Sequence, residues 1–255
     1  IGAIAAFATA VSTGNEFLAI IAGAGAGMLI ALIFGVLTVY LQSNQVATGL
    51  ALTIFGLGLS ALIGHSYVGK TFDGLAKLNI PGLSDIPVIG PVLFGHDALV
   101  YLSVVSVAIV AWVLTRTRIG LLIRAVGENH DAAHSIGYSV TLVRLGAILF
   151  GGAMAGVGGA YLSVAYTPLW VENMTAGRGW IALALVVFAS WKPWRAFFGA
   201  YLFGGITIIQ LYAQGMSVEV SAQFLSMLPY IATILVLVII SRDSARARLD
   251  APACL

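Results

Sequence analysis

The chain has 255 residues, 60% of them hydrophobic and 9% charged, with a net charge of +2 and one cysteine, Cys254. Soluble domains carry about 25% charged residues, so a mean hydropathy of +1.02 excludes a soluble globular enzyme and a disordered protein. The small net charge excludes a nucleic-acid footprint, and the single cysteine excludes a disulfide framework or a cysteine-based metal site. What remains is an all-α polytopic bundle of transmembrane helices, one domain over residues 1–255, in which the glycines mark close helix contacts rather than loops.

The first apolar run ends near Val11. From Ile1 it rises only about 17 Å at ~1.5 Å per residue, against a hydrocarbon core of about 30 Å, which predicts a truncated first helix. Apolar runs of spanning length follow at Phe17–Leu41, Val46–Ile63, Ala98–Thr115, Leu142–Tyr166, Trp180–Trp191, Phe197–Tyr212 and Phe224–Ser241. Trp180–Trp191 is short for a span and borrows residues from Thr175 onward or is broken.

Positive charge sets the sidedness. With the connection 116–144 placed inside, strict alternation puts nine basic residues inside and leaves only Lys70, Lys77 and Arg178 outside. The C-terminus is then cytoplasmic and residues 65–97 form an extracytoplasmic loop. Trp112, Trp170, Trp180, Trp191 and Trp194 fall near span ends, as an aromatic belt does.

None of the acidic residues falls in the middle of a span. Intramembrane charge marks proton relays and ion sites, and a proton-coupled carrier usually needs a buried carboxylate or histidine, which this chain does not offer. An intramembrane protease is excluded on the same ground: there is no HExxH and no buried catalytic pair. His130 and His134 are spaced as metal ligands can be, but no third ligand is near in sequence, and they read as a solvated helix face.

Two stretches look alike. Gly23/Gly27 and Gly152/Gly156 each form a GxxxG spacing, which lets helix backbones approach closely. Each is followed by a polar interruption and a second apolar run, the first through Asn44, Gln45 and Thr48, the second through Thr175, Arg178 and Trp180. In the expected topology the two hairpins run in opposite senses, which predicts an inverted-topology repeat with those six residues facing the substrate pathway. Arg178 either steers a ligand or bonds helix carbonyls. Tyr161, Tyr166, Trp170, Trp180 and Phe188 read first as belt residues and second as stacking faces for a base.

Within the connection 116–144, Asn129 is a good N-cap, Asp131 suits a first helical turn and Gly137 suits a C-terminal stop. These predict one short helix of about two turns, with Ala132 and Ala133 as a small face against another protein. Here Arg124-Ala125-Val126-Gly127-Glu128-Asn129, then Ala132-Ala133, then Ile136-Gly137 resembles the cytoplasmic coupling loop of ABC importer permeases. The resemblance is to the branched-chain amino acid and ribose permease superfamily, closest to its nucleoside and simple-sugar branch. It extends through Asn44–Thr53, Pro81–Pro87, Gly151–Leu162 and Met174–Trp191, so it covers nearly the whole chain. One departure is His130, where the family commonly has proline at the first helical position.

The resemblance implies a permease subunit in a bacterial plasma (inner) membrane, carrying nucleosides. Simple sugars, branched-chain amino acids or a stand-alone facilitator or channel are the alternatives. It implies a second permease subunit, homologous or identical, together with cytoplasmic ATP-binding subunits and an extracytoplasmic substrate-binding protein. Arg124, Gly127, Glu128, Asn129, Ala132, Ala133 and Gly137 would couple this chain to the ATP-binding subunit. ATP and magnesium would sit on that partner, with no cofactor on this chain.

Overall fold

The computed structural model describes residues 1–76, 95–175 and 177–215, together with 227, 231 and 234. In chain order the helices are α1 (Gly2–Thr13), α2 (Glu16–Gly35), α3 (Gln45–Gly64), α4 (Ala98–Arg116), α5 (Arg118–Glu128), α6 (His130–Ser135), α7 (Val140–Ala160), α8 (Arg178–Phe188) and α9 (Pro193–Gly215). Among the described residues, Glu16–Tyr40, Gln45–Tyr67, Ala98–Arg116 and Val140–Tyr166 are long and apolar enough to cross a membrane, and Gly2–Thr13 and Arg178–Val187 are shorter apolar helices. The expected span at 224–241 and most of the loop at 65–97 lie outside the described residues. The chain divides into two compact units, Ile1–Leu102 with Ala132–Ala176, and Ser103–Asp131 with Gly177–Leu255.

Helix starts follow local chemistry. Asn15 and Asn44 each accept two backbone N–H groups, Phe17 and Leu18 for the first, Val46 and Ala47 for the second, at 3.0–3.2 Å. This satisfies donors that a helix N-terminus leaves orphaned. Gly14, with φ +66°, closes α1 in the left-handed region, and its N–H reaches the Ala10 carbonyl. The chain therefore reverses sharply into α2.

The first unit is built on α2 against α7. A Cβ added at Gly27 would meet the Gly152 carbonyl oxygen, and one added at Gly156 would meet the Gly23 carbonyl oxygen. A Cβ at Gly152 would meet the Ala31 methyl, and one at Gly23 would stand 2.9 Å from the Ala160 methyl. Rising numbers on α2 meet falling numbers on α7, so the helices are antiparallel. Matching Gly23 with Gly152 and Gly27 with Gly156 exchanges each of these contacts for another. The two GxxxG stretches that look alike in sequence are thus the two sides of one crossing, where only the lack of side chains lets the backbones meet.

α1 fits into the same crossing. A Cβ at Gly2 would stand 2.6 Å from Gly156 backbone, and one at Gly159 would stand 2.8 Å from the Ala3 nitrogen. The fully buried Ser163 donates to the Ala3 carbonyl at 2.8 Å, across 160 residues of sequence. In a membrane such a bond replaces a polar group left in hydrocarbon.

Both long helices of the crossing end in π-turns, Val36–Tyr40 after α2 and Tyr161–Tyr166 after α7. A hydroxyl residue closes each in the same way. Ser43 gives both its N–H and its Oγ–H to the Leu37 carbonyl, at 3.1 and 2.7 Å. Thr167 gives both to the Leu162 carbonyl, at 3.0 and 2.9 Å. The π-turns widen the helices just before the chain breaks.

One expectation for the aromatic residues is corrected. Trp112, Trp180, Trp191 and Trp194 are 49–65% exposed, but Trp170 is 4% exposed. It packs with Ile4 and Phe7, and its indole lies on Gly64, where any Cβ would collide with the ring. The turn that carries it is held by antiparallel pairing of Thr71 with Leu169, with the Phe72 N–H on the Pro168 carbonyl at 3.2 Å.

In the second unit α8 and α9 are joined by Ser190 and Trp191, both at positive φ, 48° and 62°. Two consecutive non-glycine residues in that region are uncommon. Pro193 then opens α9 with its φ already set for a helix.

Gly27→Ala and Gly156→Ala are expected to destabilise the protein by about 1–3 kcal/mol through overpacking. Gly25→Ala and Gly151→Ala, whose added methyls meet nothing within 4 Å, keep or raise stability. Thermal unfolding of the four variants in detergent separates the two outcomes.

Candidate functional site

The close approach of α2 and α7 leaves room beside it. A cleft of about 1010 Å³ lies between these helices and α3, all within the first unit. That is at the top of the usual range for ligand pockets, about 300–1,000 Å³. One wall is Gly27, Ala31, Gly152, Ala155 and Gly156, nearly bare of side chains. The facing wall is a stripe on α3 made of Gly49, Thr53, Gly56 and Ser60, residues that share a helix face by their spacing. Phe34 closes the cleft toward the start of α3, its ring 3.9 Å from where a Gly49 Cβ would stand. Trp170 closes it toward the end of α3, and the segment 171–175 forms a rim.

The polar groups of the cleft are few. Thr53 donates its hydroxyl to the Gly49 carbonyl at 2.8 Å, which leaves its oxygen lone pairs available. Ser60 has no hydrogen-bond partner among the described residues. Glu172, Asn173 and Thr175 lie on the rim, all exposed. Asn173 is at φ +67°, a conformation asparagine tolerates better than most residues. The N–H of Met174 on the Val171 carbonyl at 3.2 Å makes this segment a tight turn. Glu172 carries the sole ionisable side chain among the lining residues.

Of the six residues expected to face a pathway, Thr175 lines this cleft. Asn44 caps α3, Gln45 is its exposed first residue, and Thr48 shares a 3.0 Å hydroxyl contact with Ser43. These three stand just ahead of the cleft lining, which on α3 begins at Gly49. Arg178 and Trp180 open α8 in the second unit, and Trp180 is 65% exposed. The sequence reading missed Phe34, Thr53, Ser60 and Glu172. Thr53 and Ser60 carried a signal: small and hydroxyl residues recur on one face of an otherwise apolar α3.

The connection between α4 and α7 is more structured than expected. The sequence predicts one short helix there, and the structure has two. The additional one, α5, is amphipathic, with Ile119, Leu122, Ile123 and Val126 at i, i+3, i+4 and i+7. Thr117 makes the corner into it, donating to the Val113 carbonyl at 2.7 Å and accepting from the Gly120 N–H at 3.1 Å. Gly120 packs against the Val113–Leu114 backbone, where a Cβ has no room.

Arg124 and Glu128 are exposed on α5, and Gly127 has open space where a Cβ would stand. Asn129 is extended, φ −150°, and sits between α5 and α6, in the expected N-cap position of the second helix. Ala132 is exposed and Ala133 is buried. Gly137, at φ +92°, ends the segment as predicted. Its N–H reaches the His134 carbonyl at 2.9 Å while the Tyr138 N–H reaches the Ala133 carbonyl at 3.2 Å. That pair of bonds is a Schellman stop.

The chain matches the family profile described as branched-chain amino acid transport system, permease component, over residues 1–238. It is similar to a Haloferax volcanii protein with the provisional name of glucose ABC transporter permease protein TsgC13, 36% identical over 277 residues covering 100% of this chain and 84% of the relative. It is 34% identical to the nucleoside ABC transporter permease protein NupC of Lactococcus lactis, over 88% of this chain and 73% of that one. It is 30% identical to the guanosine ABC transporter permease protein NupQ of Bacillus subtilis, over 87% and 72%. No solved structure matches it. A multi-pass membrane protein matched over nearly its whole length in this way belongs to the branched-chain amino acid transport system permease-component family.

Proposed function

We propose that this chain lines the translocation pathway of an ATP-driven ABC importer whose cargo is an uncharged nucleoside or simple sugar. The observation that carries this reading is the likeness to permeases named for nucleosides, guanosine and glucose, each covering most of both chains. The cleft supports it, being of ligand size, mostly apolar and supplied with a few polar groups.

The family supports a wider assembly. A second permease subunit completes the pathway, an extracytoplasmic binding protein delivers cargo, and two ATP-binding subunits hydrolyse ATP on the cytoplasmic side. The segment from Arg124 to Gly137 docks on an ATP-binding subunit, through Glu128 and Asn129 where α5 ends and through Ala132 beyond it. The protein sits in the plasma membrane with its C-terminus in the cytoplasm, an orientation supported by the distribution of basic residues.

The exchange of contacts across the α2–α7 crossing and the matched π-turn endings support an inverted-topology repeat. Transporters of that design place their sites at broken helices near the midplane. Asn44, Gln45 and Thr48 at one break, and Thr175, Arg178 and Trp180 at the other, then border the route of the cargo.

Gly137→Pro tests the coupling segment. Proline holds φ near about −65° and has no N–H, so it cannot form a stop that needs +92° and a donor. This variant is expected to insert normally, lose uptake, and lose the ATP-hydrolysing subunit from a mild-detergent co-purification. Gly137→Asn, which tolerates the left-handed region, retains both. Glu128→Lys, a charge reversal at an exposed position, is expected to abolish uptake with normal insertion. Full uptake in Gly137→Pro and Glu128→Lys alike would sink the coupling role.

A further inference from the structure

We propose that Glu172 is the selectivity residue of the cleft: it accepts hydrogen bonds from the hydroxyl or N–H groups of an uncharged polyol or nucleoside and turns away solutes carrying a carboxylate or phosphate. This rests on the cargo reading above and gives it a residue.

Carboxylates at a membrane surface are ordinarily just solvated, and three observations set Glu172 apart. It stands exposed on the rim of a cleft of about 1010 Å³, and no other lining residue has an ionisable side chain. It takes part in no hydrogen bond or ion pair among the described residues, so no protein group there competes with a ligand for its oxygens. It sits in a turn held by the Met174-to-Val171 bond and by the left-handed Asn173, which gives the rim a defined shape.

The remaining chemistry is complementary. An ionised carboxylate is acceptor-only, so it favours a ligand rich in donors, which sugar hydroxyls and base N–H groups are. Ser60 offers an unpartnered hydroxyl within the wall, and Thr53 offers lone pairs. Phe34 and Trp170 supply flat apolar faces at the two ends, suited to a base or to the C–H face of a sugar. The lining contains no Lys, Arg or His, so an anionic group entering the cleft would lose water with no basic side chain to meet it. An amino acid, whose α-carboxylate needs such a partner, is disfavoured although the family carries the amino-acid name.

The test uses the full chain in membranes that hold its natural partners. Cys254→Ser removes the natural thiol and Ala155→Cys introduces a reporter inside the cleft. Ala61→Cys provides a second reporter in the lining should the first disturb folding. Maleimide labelling is timed against rising uridine, glucose, leucine and uridine 5′-monophosphate.

Uridine or glucose is expected to slow labelling, while leucine and the monophosphate do not. Adding Glu172→Gln is expected to raise the half-protecting concentration of the neutral solute roughly tenfold, the loss of one hydrogen bond to a charged group, and to narrow the gap to the monophosphate. Equal protection with and without Glu172→Gln overturns the assignment, as does protection by leucine equal to that by uridine. If the parent chain shows no ATP-dependent uptake of uridine or of glucose, the cargo reading fails and the assignment falls with it. If uptake is intact and Glu172→Gln changes nothing, the assignment alone fails.

Discussion

Everything in the first unit depends on two backbones being allowed to touch. Between apolar helices in lipid there is no hydrophobic drive to associate, because lipid tails are as apolar as leucine. What holds α2 to α7 is dispersion between closely fitted surfaces, and dispersion falls off steeply with a gap of even half an ångström or so. Gly23, Gly27, Gly152 and Gly156 remove the side chains that would impose such a gap. Because the bare face of each helix is wider than the contact itself, the same residues also leave the smooth wall of the cleft.

Where the two helices stop, they stop alike. A π-turn exposes carbonyls that a regular helix would occupy, and in a membrane each one needs a donor. Ser43 and Thr167 supply two donors apiece to a single carbonyl. Each break is therefore closed at one carbonyl, Leu37 in the first and Leu162 in the second. Ser163, within the second π-turn, donates to the Ala3 carbonyl of α1.

Much of this was legible in the residues, for identifiable reasons. Long apolar runs locate spans because the bilayer imposes their length, and the starts of α2, α3, α4 and α7 lie within two residues of the positions read from sequence. Gly137 was legible because few other residues adopt its φ, and the paired GxxxG stretches because their spacing is itself the contact. The burial of Trp170 was not legible, since proximity to a span end says nothing of the loop that folds it back onto Gly64. α5 was overlooked although its apolar spacing is helical, because its arginines made the whole connection read as loop. The α3 stripe escaped because a threonine and a serine among leucines matter only once a facing wall is known, and most of that wall comes from about 100 residues later in the chain.

The two sides of the cleft differ mechanically. The α2–α7 side is backbone against backbone, with little freedom to give. α3 has none of its membrane-length window buried. It is fastened at its two extremities, by the Ser43–Thr48 contact with the Asn44 cap at one and by Gly64 under Trp170 at the other. Its middle is sparsely packed, with Gly56 near Ile1, and a sparsely packed segment opens at lower cost than a close-packed one. The cleft is thus a rigid jaw facing a compliant one, and a family could retune such a jaw for cargo of different girth by changing side chains on the compliant helix while leaving the glycine seam untouched.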